Sequence, residues 1–275
     1  MMQFFGKNVA PGLIPPVVGK QVVKEFRDVQ GFYWGVLVGY RQITAYLRCE
    51  SPVDGEMWAA VCDEFCADDH VVAACLVKEF GVADHVSVFW ECEPKDRDDH
   101  LQRLALSIHE GVERIHSRGA TVTPLDRRQV IERGGLWWAR HPEETWPPVA
   151  TKVEEQIPTV TVDGTSYAVF EVAADDDLID EVIGQVESSP GITITQFHRP
   201  PCAEASGEEG KFALVVLSGS NRPAVQDMAS LWMKELGARF RLRVHRAYAR
   251  QTVMFVAAGG LGILPWNESE LRGVK

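Results

Sequence analysis

Thr159-Val-Thr-Val-Asp163-Gly164-Thr-Ser-Tyr167-Ala-Val-Phe-Glu-Val172 is the stretch on which the fold turns. Asp-Gly between two runs rich in β-branched and aromatic residues is a strong short hairpin signal, because both turn positions need positive φ. Thr159 to Val162 and Tyr167 to Val172 are therefore expected to be antiparallel neighbours. The acidic run Asp175 to Asp177 follows and suits a helix amino terminus, so a helix is expected to about Glu187. Ile192 to Phe197 and Phe212 to Leu217 have strand composition, with Pro200 to Gly210 as a loop of small and acidic residues. Ser220 or Asn221 caps a further helix, with Pro223 in its first turn and Gly237 as its stop. Arg239 to Tyr248 and Thr252 to Ala258 are expected as closing strands.

The same order stands upstream. Phe32 to Tyr40 and Gln42 to Cys49 form a hairpin around Gly39-Tyr40-Arg41. Asp54 caps a helix to about Cys66, and Val71 to Phe80 is a second helical or apolar segment ending at Gly81. His85 to Glu93 is a strand. Leu101, Leu104, Ile108, Val112 and Ile115 recur at three- and four-residue steps, marking a helix from Asp96 or Asp98 to about Arg118, ended by Gly119. Ala120 to Thr123 is a strand. The expected fold is therefore α/β in the α+β sense: two similarly ordered mixed-sheet halves, hairpin-helix-strand-helix-strand, with helices packed on the sheets. The divisions are an arm at 1–30, a first half at 31–133, a linker at 134–150 and a second half at 151–275. The linker holds Trp137, Trp138 and Trp146 among prolines, and such apolar area is costly to leave in water.

Composition narrows the function classes. The 275 residues carry a formal net charge of -11, which argues against general nucleic-acid binding, since phosphate neutralisation needs a basic face. Six cysteines (Cys49, Cys62, Cys66, Cys75, Cys92 and Cys202) fall mostly inside apolar segments, as free thiols of a reducing compartment do. The amino-terminal apolar stretch is broken by Pro11, Pro15 and Pro16, unlike a signal peptide. The uncharged run Thr252 to Asn267 falls short of the ~20 residues of a membrane span.

Three constellations fall short of chemistry by their spacing. Cys62, Cys66 and His70 could share a helix face, but no paired ligand motif completes a tetrahedral zinc site, so buried thiols are expected. His109-Glu110 lacks the second histidine one turn on, since the next is His116; both should flank the apolar stripe, half exposed. Ser218-Gly219-Ser220-Asn221 joins a strand to a helix, where backbone amides can hold an anion. It lacks the glycine spacing and lysine of a phosphate loop, and helix capping explains it. Neither a nucleophile elbow nor a dinucleotide loop is present; no catalytic residue, metal or cofactor is assigned. The least ordinary feature is Arg239, Arg241 and Arg243 alternating with Phe240, Leu242 and Val244. As a strand this would put three guanidinium groups on one face, extended by Arg246 and Arg250, as a ridge suited to carboxylates on a partner.

The run His245-Arg246-Ala247-Tyr248-Ala249-Arg250-Gln251, the apolar Thr252 to Ala258, and Leu261-Gly262-Ile263-Leu264-Pro265 together resemble the end of the soluble region in the EccE family. These are membrane-complex components of actinobacterial type VII (ESX) secretion systems. His85 to Pro94 with the helix from Asp98 and Ala120 to Asp126 is similar to another stretch of that family, as is Tyr167 to Val172 with Leu178 to Val186. Ala249-Arg250 departs from the family's Gly-Gln step. The family also carries one or two membrane helices before its soluble region, and no stretch of this sequence is expected to form one, as in a trimmed chain or a soluble relative. The resemblance implies a non-enzymatic scaffold subunit, cytoplasmic and peripheral to the inner membrane, whose partners are other secretion-complex core proteins; it transfers no catalytic residue. A transferase for a nucleotide-linked or acyl substrate and a standalone homodimeric binding module are the alternatives.

Overall fold

The computed structural model describes residues 7–8, 22–28, 31–38, 42–91, 97–130, 153–156, 158–173, 176–199, 210–239, 244–246 and 251–260. In the first half, β2 (Val22–Arg27), β3 (Tyr33–Val38) and β4 (Gln42–Cys49) lead to α1 (Gly55–Phe65), β5 (Val71–Glu79), β6 (His85–Glu91), α2 (Arg97–Ser117) and β7 (Val122–Pro124). In the second, β8 (Val153–Gln156), β9 (Thr159–Val162) and β10 (Thr165–Ala173) lead to α3 (Asp176–Ser188), β11 (Ile192–Arg199), β12 (Gly210–Gly219), α4 (Arg222–Arg239) and β13 (Val244–Arg246). A last helix, α5 (Gln251–Ala258), follows, and a two-residue strand, β1 (Lys7–Asn8), pairs with β8.

These strands form one sheet, ordered β1-β8-β9-β10-β12-β11-β5-β6-β4-β3-β2, with β7 on β4 and β13 on β10. Each half contains a split β-α-β unit: β7-β4-β6-β5 in the first, β13-β10-β12-β11 in the second, with both helices crossing on one face. The correspondence reaches individual pairs. Leu37–Thr44 and Val38–Ile43 in the first hairpin occupy the places of Val160–Tyr167 and Thr161–Ser166 in the second. Arg48–Thr123 likewise matches Glu171–His245, Tyr46–Ser87 matches Val169–Val216, and Leu76–Val86 matches Ile194–Val215. The halves meet where β5 pairs antiparallel with β11, and there Val77 faces Thr195, its own counterpart. A local two-fold therefore runs through the centre of the sheet.

Opposed residues on paired strands share a face, so Lys78 opposite Ile194 puts the helix-covered sides of the two halves on one side of the sheet. On that side α1 and α2 close a core around Trp34, Phe65, Leu104 and Ile108, while α3 and α4 close another around Phe170, Leu178, Leu217 and Trp232. A third core lies on the opposite face and spans both halves, from Leu37 and Phe89 to Phe197 and Leu214, with Met254 and Phe255 of α5 in it.

Several expectations need correction. All described pairings are antiparallel, so the sheet is not mixed: each crossover returns two strands away, and another strand of the same unit, antiparallel to both, fills the gap. Val71–Glu79 is a strand, buried on both faces at the centre of the sheet, which is why it shows no alternation. Thr252 to Ala258 lies in a helix; a short, wholly apolar run carries no period that separates helix from strand. The helix expected to stop at Gly237 continues to Arg239. The polar segment Val22–Arg27, read as part of an arm, is the edge strand β2. The Trp-rich linker lies outside the described residues. No helix among the described residues is long and apolar enough to cross a membrane.

Candidate functional site

Among the described residues, the corner between β2 and β3 gathers a dense set of polar bonds. Asp28 directly follows β2, and only 1% of its side chain is exposed. Its Oδ1 accepts from the Phe32 N–H at 2.9 Å, its Oδ2 from Trp34 Nε1 at 2.7 Å, and Oδ2 also meets Nε2 of His109 on α2. The main chain closes the turn as well: the Asp28 N–H reaches the Phe32 carbonyl at 3.0 Å, and the Gly31 N–H reaches the Asp28 carbonyl at 3.1 Å. Gly31 has φ +96, a conformation that side chains other than glycine's resist. Burial alone would raise the Asp28 carboxyl, but hydrogen bonds from His109, Trp34 and Phe32 outweigh it and hold it below its usual range.

His109 stands between two rings, Trp34 edge-on at 5.0 Å and Phe32 tilted at 5.2 Å. Its side chain is 13% exposed, so it is not the half-exposed flank that its spacing suggested. His116 is exposed. The corner thus fixes its interior rigidly and turns two aromatic residues outward: Phe32 is 56% and Tyr33 58% exposed. The Arg27 guanidinium lies 5.8 Å from the Tyr33 ring centre, and Gln102 of α2 donates to the Arg27 carbonyl at 3.2 Å. Nothing in the sequence ties Asp28 to His109 across 81 positions. The available signal was modest: His109 lies one turn after Ala105, at the margin of the buried stripe.

A second buried polar group lies beneath α1. Lys78 Nζ and Asp84 Oδ2 are 2.6 Å apart, and the same oxygen accepts from the Val53 N–H at 2.7 Å. The Asp84 carbonyl takes the Cys49 N–H at 2.9 Å. This pair fastens the segment before α1 to the sheet. Burial, with Asp84 adding to it, pushes the neighbouring Cys49 thiol up to about 12, which keeps it protonated and unreactive.

The residues singled out in the sequence separate in the fold. Cys62 is buried in α1, Cys66 follows the helix end, and burial lifts its thiol to about 12, with Asp63 adding to the effect. His70 is not on their helix: α1 stops at Phe65, and the His70 ring stacks on Trp90 at 5.1 Å. Among the described residues no group of three ligating side chains could hold a metal. Ser218 closes β12, its hydroxyl donating to the Gly191 carbonyl at 3.3 Å. Asn221 caps α4, its Oδ1 accepting from the Ala224 N–H at 3.0 Å, while Pro223 contributes no donor. A side chain at Gly219 would press on Val225 at 3.2 Å, so close packing explains that glycine. Arg239 closes a helix and therefore cannot begin an arginine-bearing strand. Arg241, Arg243 and Arg250 lie outside the described residues. The backbone of Arg246 pairs with Phe170 in β13.

A site that sequence reasoning missed is Gln251, fully buried at the start of α5. β10 is paired with β9 up to Tyr167 and with β13 from Phe170 onward. In the gap between them, the Gln251 amide accepts the Val169 N–H at 2.7 Å and donates to the Val169 carbonyl at 3.1 Å. It does the work of a missing strand residue. No family model matches the chain, and no curated protein matches it.

Proposed function

We propose that this chain is a non-enzymatic interaction subunit of a type VII-like secretion assembly, held at the cytoplasmic face of the membrane by other core components. The supporting observation is the β2–β3 corner, where a buried carboxylate and histidine are spent on bracing a turn that holds Phe32 and Tyr33 outward. Aromatic residues on a rigid base give a partner large apolar area at little entropic cost. The other polar groups brought together by folding have similar duties: Asp84 holds the Val53 amide, and Gln251 holds the Val169 backbone. The resemblance of the carboxy-terminal sequence to the EccE family supplies the kind of assembly. The five arginines from Arg239 to Arg250 supply a second charged contact in this reading.

The test is co-purification from native membranes with the secretion-complex core proteins. Phe32→Ser with Tyr33→Ser should abolish recovery of partners while the melting temperature stays near that of the parent. In the parent background, Arg239→Glu, Arg241→Glu and Arg243→Glu together should weaken recovery without abolishing it. Full recovery with a folded aromatic double variant overturns the reading. A saturable thermal shift with one nucleotide would favour the transferase alternative instead.

A further inference from the structure

We infer that the edge strand β2 is a self-complementary dimerisation edge, pairing antiparallel with β2 of a second copy about a two-fold at Phe26. The direction of each backbone group along β2 follows from its neighbours. The Asp28 N–H bonds to the Phe32 carbonyl, across the turn to β3, whereas the Gly35 N–H bonds to Leu125, away from β2. Backbone groups alternate along antiparallel strands, so Trp34 and Val36 face Phe26 and Lys24 in hydrogen-bonded pairs. The N–H and C=O groups of Val23, Glu25 and Arg27 therefore point out of the sheet. Among the described residues β2 has β3 as its sole strand neighbour, and Gln102 is the one side chain that reaches this row, at the Arg27 carbonyl. That carbonyl keeps a second lone pair for another donor.

Exposed edges recruit strands, and charged side chains normally restrict which ones. Here the charges select one register rather than forbid all of them. With the two-fold at Phe26, Glu25 of each chain falls opposite Arg27 of the other, on outward-facing positions that form hydrogen-bonded pairs. Phe26 then meets its own counterpart on the other face, where it is partly buried and stacked on Trp34. Centring the two-fold on Glu25 instead would set like charges opposite each other, which destabilises a pair of strands. The unlike charges thus provide both attraction and register. The occupant is a second copy because the complementary sequence is this strand itself.

Light scattering on the pure 275-residue chain tests this at high micromolar concentration, with a mass of twice 30.6 kDa expected. Glu25→Pro removes one outward N–H and leaves the pairing with β3 intact, since proline is tolerated on an outer edge. It should give a folded monomer whose melting temperature matches that of the parent diluted below its dimer dissociation constant. Glu25→Arg and Arg27→Glu should each raise the dimer dissociation constant at least tenfold, and the double exchange should restore it. A monomeric parent protein, a dimeric Glu25→Pro variant, or a double exchange as weak as either single one would each overturn the inference. None of these outcomes depends on recovery of secretion partners, which reads Phe32 and Tyr33 separately.

Discussion

The two halves share one topology yet close the same gap by different means. In the first, Tyr46 lies between the stretches of β4 paired with β3 and β7, and its carbonyl accepts the main-chain N–H of Leu125 at 2.9 Å. In the second, the equivalent Val169 is served by the side chain of Gln251. A main-chain bond survives most substitutions, whereas a side-chain bond depends on one residue. The halves also differ in buried charge. The first encloses Lys78–Asp84 and Asp28–His109, while Gln196, the counterpart of Lys78 across the local two-fold, is an uncharged amide. Repetition of the fold therefore leaves the polar interior free to diverge, and it diverges where loops are fastened to the sheet.

The sharpest way to break this comparison is to remove the charge that one half has and the other lacks. Lys78→Met leaves the Asp84 carboxylate buried without its cation, and losing one partner of a buried pair costs about 3–5 kcal/mol. Gln196→Met at the matching place should cost under about 1 kcal/mol, because a partly exposed position loses no charge partner. Urea unfolding of the two variants measures the difference directly. Equal losses would show that the asymmetry of buried charge carries no energetic weight.

Gln251→Leu comes next in size. It strands the Val169 N–H and carbonyl in a fully buried setting, where each unsatisfied group costs ~1–3 kcal/mol. A total in the lower half of the summed range of about 2–6 kcal/mol is expected, because a carbonyl is left under-satisfied more cheaply than an N–H; the same unfolding experiment measures it. Hydrogen exchange should show the Val169 amide losing protection relative to the Leu125 amide, which serves the same gap in the first half. Retained protection at Val169 would mean that the backbone closes the gap unaided.

What could be read in advance follows the range of the interaction. The Asp163-Gly164 hairpin, the Asp54 cap and the α2 stripe are local, and each stands where expected: Asp163 has φ 47, and Asp54 Oδ1 accepts the Met57 N–H at 2.8 Å. The repeated order of elements was legible for the same reason. Val71–Glu79 was not, because burial on both faces erases the alternation that tells a strand from a helix, and Thr252–Ala258 was not, because so short an apolar run carries no period. The union of the halves through β5 and β11 depends on pairing over more than a hundred residues, for which neither strand carries a local mark. The same holds for Asp28 with His109, and for Gln251, whose role exists only once β9 and β13 leave a gap. Of the arginine alternation, Arg239 closes a helix that continues past Gly237, while Arg241 and Arg243 lie outside the described residues.

The smallest expected effect concerns acid, and it belongs to the first half alone among the described carboxylates with a resolved shift. Asp28 has its folded-state carboxyl held below the ordinary value near 3.8 by bonds that favour the ionised form. Near that pH the unfolded chain binds more protons than the folded one, so this contribution to stability rises with pH. It is fully present above the ordinary value, declines as pH falls through it, and is gone below the folded value. Asp28→Asn removes the titrating group, so its unfolding free energy should fall less than the parent's between about pH 6 and about pH 3. The neutral amide also loses charge-assisted bonds to Trp34 and Phe32, so the variant should start lower at neutral pH and converge on the parent in acid. Parallel curves that never converge would mean that Asp28 acts through packing, and that its charge is not what braces the corner.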